Sequence, residues 1–173
     1  MIVSSTTAEQ ARDIYIVGLR NQHAVEKQAV ELLERQVGRL ENYPEMRDRM
    51  LHHIAESREQ ARRIEELLAR YDTSHSAVKD TMMSIVGNLA ACGHSTAPDE
   101  VVKNTFANFA FEHYESYSSL LTLAELAGDS AARTALDTSL REEKEMAQWI
   151  AEHLDATVRR FVERSAAGQK AGV

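Results

Sequence analysis

Helix breakers are scarce in this 173-residue chain: two prolines and seven glycines, clustered where the apolar periodicity stops. Long runs free of both residues let the backbone continue as helix, so the reading is all-α, with four long helices and a short one. The first is expected to begin after Thr6-Thr7, where Thr6-x-x-Glu9 and Thr7-x-x-Gln10 both fit a capping box, and to run to about Leu40. Glu41-Asn42-Tyr43-Pro44 breaks the pattern, and Pro44 suits the first position of a second helix reaching about Tyr71. Asp72 to His75 leads into a shorter segment, about Ala77 to Ala91, that stops at Gly93. After His94 to Pro98 a third long helix is expected over about Asp99 to Ala127, and after Gly128-Asp129 a fourth over about Ala131 to Arg164. Residues 165–173 are small and polar, a tail expected to fray.

Helices 1 and 2, like helices 3 and 4, are joined by short loops and so form antiparallel hairpins. The longer connection between the hairpins carries the short helix. One long crossover between two hairpins is the connectivity of a ferritin-like four-helix bundle, here a single domain with its core over about residues 8–164.

Composition narrows the partners. Asp and Glu number 27 against 20 Lys and Arg, a formal charge of −7, which argues against nucleic acid and for cations. The single cysteine, Cys92, cannot form an internal disulfide and removes zinc-ribbon readings, leaving oxygen and nitrogen as metal ligands. The first residues lack a secretory pattern and no apolar run is long enough to span a membrane, so a cytoplasmic location is expected.

Acids stand on stripes that helix packing would make apolar. On helix 1 the stripe is Leu19, His23, Glu26, Val30, Leu33, Val37, Leu40, and on helix 4 it is Leu136, Leu140, Glu143, Ala147, Ile150, Leu154. An ionised carboxylate in such a place needs a cation, a hydrogen-bond network or a metal. On helix 2 (Met46, Met50, His53, Ser57, Ile64, Tyr71) His53 points inward with Glu56 at the edge. On helix 3 (Val102, Phe106, Phe109, His113, Ser116, Leu120, Leu123) His113 is central, Glu112 lies on the flank and Glu115 further round. Each hairpin would bring one acid from each arm to a similar depth, the carboxylate arrangement of a di-metal bundle. Oxygen donors with some imidazole suit iron or manganese better than zinc.

The stretches Leu19-Arg20 … Ala24-Val25-Glu26-Lys27-Gln28, His53-Ile54-Ala55-Glu56, Glu112-His113-Tyr114-Glu115 and Leu140-Arg141-Glu142-Glu143-Lys144 resemble, in order and spacing, the YciE/YciF family of ferritin-like proteins. The likeness runs over about residues 10–160 and includes Lys79-Asp80-Thr81-Met82 in the crossover. It implies a dimeric four-helix bundle of the bacterial cytoplasm, associated with stress responses and a di-metal centre. It marks Glu26, Glu56, Glu112 and Glu143 as metal ligands, with His53 and Glu115 as further ligands or their supports. The sequence departs from the wider ferritin-like pattern: the Glu-x-x-His pairs are replaced by Glu56-x-x-Glu59 and Glu143-x-x-Met146, and Ala147 stands one turn after Glu143.

Two functions from different classes follow. One is a ferroxidase that binds two metal ions, iron first with manganese or zinc as alternatives, and oxidises Fe(II) with O2 or peroxide. The other is a metal-free helical stress protein or adaptor that has lost this chemistry. A Dps-like DNA-protecting cage is disfavoured, because the chain lacks a basic arm. Off-stripe apolar residues, among them Val25, Leu32, Phe111 and Leu121, suggest a second buried surface and with it a homodimer.

Overall fold

A computed structural model describes residues 5–71 and 115–171. Among them, α1 spans Ser5–Val37, α2 Pro44–Ala69, α3 residues 115–126 and α4 Arg133–Ala166, with a 3₁₀ turn over Ser130–Ala132. All the described regular structure is helical, a four-helix bundle. The crossover segment, Cys92, Glu112 and His113 lie outside the described residues. Pro44 opens α2 as its spacing predicts, and α1 ends three residues before Leu40. Gly18, in the middle of α1, lets α3 come close: a Cβ there would stand 2.9 Å from a Leu120 methyl.

Among the described residues the interior contains two apolar clusters. One holds Tyr15, Leu19, Ile64, Leu67, Tyr117, Leu120, Ala124, Ala132 and Leu136, and the other Leu33, Leu40, Tyr43, Met50, Ile54, Met146 and Ile150. On every long helix the positions between the clusters are polar and buried: Gln22 and Glu26 on α1, His53, Ser57 and Gln60 on α2, Ser139 and Glu143 on α4. The inward faces therefore differ in part from the sequence stripes. Gln22 takes the place expected for His23, whose Nε2 instead donates to Glu65 across the α1 and α2 surface at 2.7 Å. Ser139 and Met146 are buried where Leu140 and Ala147 were expected, and Tyr117 and Ala124 flank Leu120 in place of Ser116 and Leu123. Helical spacing of i+3 and i+4 lets either neighbour face inward, and packing against the other helices chooses. Val25, Leu32 and Leu121, expected to need a second surface, are already partly buried within the chain.

The two ends are fastened differently. Gly128, at φ 76°, closes α3: its N–H bonds Glu125 O while Asp129 N–H reaches back to Ala124 O, a Schellman arrangement that L side chains resist. Asp129 then accepts from Tyr71 Oη at 2.7 Å and from Arg70 at 3.0 Å. At the other end the tail, residues 165–171, turns back onto the bundle. Gly168, at φ 66°, turns it back, Arg164 and Asn42 both donate to Lys170 O, and Tyr43 Oη donates to the Ala171 carbonyl at 2.9 Å. Buried Ala171 thus seals the α1–α2 loop against α4.

Burial, the hydrogen bond to Asp129 and the Asp129 charge push the Tyr71 phenol up to about 12, and burial also raises Tyr15. The unfolded chain releases these protons from about pH 10 while the folded chain retains them, so stability is full below pH 10 and declines as pH rises towards 12. Denaturant melts at pH 8 to 11 are expected to show that decline, and Tyr71→Phe to flatten it. A wild-type stability independent of pH over that range would contradict the assignment.

Candidate functional site

The polar layer is assembled from all four helices. On α1 the Glu26 carboxylate is fully buried, and its Oε1 accepts from Gln22 Nε2 and from Tyr117 Oη, each at 2.8 Å. Ser116 donates to Gln22 Oε1 and so fixes that amide's orientation. Burial first, then the charge of Glu26 and the hydrogen bond to it, and finally the charge of Glu143 raise the Tyr117 phenol well above its ordinary value. Tyr117 therefore keeps its proton and donates it to Glu26.

On the facing side His53 links two acids. Its Nδ1 bonds Glu56 Oε2 at 3.0 Å, and its Nε2 stands 3.7 Å from Glu143 Oε1. His53 is 1% exposed and Glu143 fully buried. Glu56 lies at the edge, where His52 and Arg49 also approach it at 3.0 and 3.6 Å. Burial is the largest influence on its carboxyl and works to raise it. The His53 hydrogen bond with the charges of Arg49, His53 and His52 prevails and holds Glu56 below its usual range. Glu56 is thus an anion that fixes the imidazole through Nδ1 and turns its Nε2 towards Glu143.

Beside this pair a second network closes the layer. Arg63 grips Glu142 through two nitrogens, at 2.6 and 2.9 Å, and donates to Ser139 Oγ at 3.2 Å. Gln60 Nε2 joins it by donating to Glu142 at 3.1 Å. Two buried oxygens of α2, Ser57 Oγ and Gln60 Oε1, have no hydrogen-bond partner among the described residues. Ser57 is fully buried, as is Gln60.

Of the expected site residues, the structure brings His53, Glu56 and Glu143 into one row and places Glu26 in the same layer, joined through Tyr117. Glu115 does not take part: it is exposed, two residues and therefore about half a turn away from inward Tyr117. Glu112 lies outside the described residues. Glu56 and Glu143 stand on opposite sides of the imidazole, so among the described residues no three acids, histidines or cysteines converge in a metal-holding group. Sequence reading missed Tyr117, Gln22, Ser57, Gln60 and Ser139 as members of the site. Their signal was available in the spacing, since Ser57 and Gln60 stand i, i+3 on the face that carries His53, but neutral side chains there look like ordinary packing.

No described helix is long and apolar enough to cross a membrane. A crystal structure of a protein from Xanthomonas campestris pv. campestris superposes with a TM-score of 0.76 at 24% identity, over 90% of this chain and 99% of that one. At that identity the likeness speaks for the fold, a ferritin-like helical bundle. The family described as a domain of unknown function (DUF892) matches residues 10–163, nearly the whole length, and the chain therefore belongs to the DUF892 family, a member of the ferritin-like superfamily.

Proposed function

We propose that this protein is a di-metal carboxylate protein of the YciE/YciF type, which takes up Fe(II) and oxidises it with O2 or peroxide. The observation that carries this reading is the imidazole of His53. Its Nδ1 bonds Glu56 at 3.0 Å, and its Nε2 stands 3.7 Å from the Glu143 carboxylate. A metal ion between them would meet one nitrogen and one carboxylate oxygen. Carboxylate and imidazole donors suit iron or manganese, and burial inside the layer removes competing water. The donor chemistry therefore fits the metal.

In this reading Glu26 and Glu143 are ligands, His53 supplies nitrogen, Glu56 orients it, and Glu112 adds a carboxylate from the third arm. Fe(II) is the substrate, and two Fe(II) with two protons reduce one peroxide to two waters. Tyr117 and Gln22 hold Glu26 in place by donating to one of its oxygens. The buried carboxylates favour the more highly charged ferric product, which gives the oxidation its direction.

A second reading has its own support: Tyr117 and Gln22 already compensate Glu26 without any metal. In that case the layer is structural and the bundle is a metal-free stress protein or adaptor. Metal analysis and the rate of Fe(II) oxidation separate the two. The wild type is expected to retain about two metal ions per chain and to oxidise Fe(II) faster than buffer, and Glu26→Gln/Glu143→Gln to lose both while keeping its helicity. Equally little metal and equally slow oxidation in both proteins would sink the ferroxidase reading.

A further inference from the structure

The two oxygens of α2 without hydrogen bonds lead beyond the acids. We infer that Ser57 Oγ and Gln60 Oε1 are the neutral part of the cation site, presenting oxygen to the bound metal and its hydration water. This rests on the di-metal reading above.

The placement follows from contacts on either side of them. The antiparallel crossing of α2 and α4 is pinned at one point by His53 near Glu143, at 3.7 Å, and at another by Arg63 on Ser139, at 3.2 Å. Ser57 is one turn from His53, and Gln60 is one turn from Ser57, so both lie between those pins on the same inward face. Gln60 gives its amide nitrogen to Glu142 at the rim, which directs its carbonyl the other way, into the layer. Buried oxygens seldom go without a donor, because each gave up water on folding. A hydroxyl and an amide carbonyl one turn apart on the inward face, both buried and both orphaned, attract a cation or the water it carries. Their i, i+3 spacing puts both oxygens on one helical face. Neutral donors there keep the net charge of the layer low while it is empty, and still add coordinating oxygen when it is filled.

The inference makes metal-free stability and metal affinity move in opposite directions. Without metal, the orphaned oxygens are a burden. Ser57→Ala and Ser57→Ala/Gln60→Met are therefore expected to melt at or above the wild-type temperature after chelation, while Mn(II) binding, followed by the EPR signal of free Mn(II), weakens roughly tenfold. Gln60→Glu is the converse: a lower melting temperature without metal and a larger rise on adding Mn(II). If the wild type itself neither binds Mn(II) nor gains stability from it, the di-metal reading fails. If the wild type binds but the Ser57 and Gln60 variants bind equally well, only the present inference is overturned. A lower metal-free melting temperature in Ser57→Ala with unchanged Mn(II) affinity would likewise overturn it, since the hydroxyl would then serve the fold alone.

Discussion

Exchanging His53 for leucine and Glu143 for methionine together is expected to stabilise the metal-free protein by roughly 1–4 kcal/mol and to abolish metal uptake. Both side chains are at most 1% exposed, and their neighbours in the adjoining apolar cluster, Met50, Ile54, Met146 and Ile150, would accept hydrocarbon. Burying the imidazole and the carboxylate costs desolvation that a 3.7 Å approach repays poorly. The pair must go together, because removing one member leaves the other buried with less compensation. Glu56, deprived of the imidazole, keeps His52 and Arg49 at the surface. At about 2–4 °C per kcal/mol for a chain of this size, the melting temperature should rise by several degrees. Thermal melts after chelation check this, and metal analysis checks the loss of uptake. A double variant that melts lower would mean that the layer holds the fold together, and the argument for a functional reason to keep it would collapse.

That trade of stability for a polar layer also explains what was legible in the sequence. The described helices were, because breakers, the Pro44 start and the Gly128 stop act through a few neighbouring residues. Glu26 and Glu143 were legible because an acid in a stripe of Leu, Val and Ile violates the pattern. The remainder of the site violates nothing: Gln22, Ser57, Gln60 and Ser139 are buried in a layer whose existence depends on how four helices register against one another. Tyr117 is the clearest case, since it reads as an aromatic packing residue, and only the crossing of α3 on α1 places its hydroxyl 2.8 Å from Glu26. Glu115 shows the reverse error. It sits in a motif with acids of the right spacing, yet the inward face of α3 passes through Tyr117, Leu120 and Ala124, and a rotation of a few tens of degrees puts Glu115 in solvent. The hydrogen bonds of the tail were not legible for a related reason: small polar residues carry no periodicity, whereas the Lys170 and Ala171 carbonyls find donors on Arg164, Asn42 and Tyr43.

Truncating the core beside the layer should produce the opposite signature. Ile64→Ala is expected to destabilise the protein by about 2–5 kcal/mol, from the lost transfer of hydrocarbon and the cavity left among Tyr15, Leu19, Leu67, Tyr117 and Leu136. Ile64 is fully buried and lies one turn beyond Gln60, so it adjoins the site without donating to it. Urea unfolding should show the loss as a lower midpoint with an unchanged slope. Below that midpoint the folded fraction should take up the same number of metal ions as the wild type. Stability and uptake then separate between neighbouring positions on one helix: hydrocarbon at 64 holds the bundle, while the oxygens at 57 and 60 serve what the bundle holds. If Ile64→Ala lost metal in proportion to its lost stability while still folded, the layer would depend on the apolar cluster for its geometry, and the division of labour between them would be refuted.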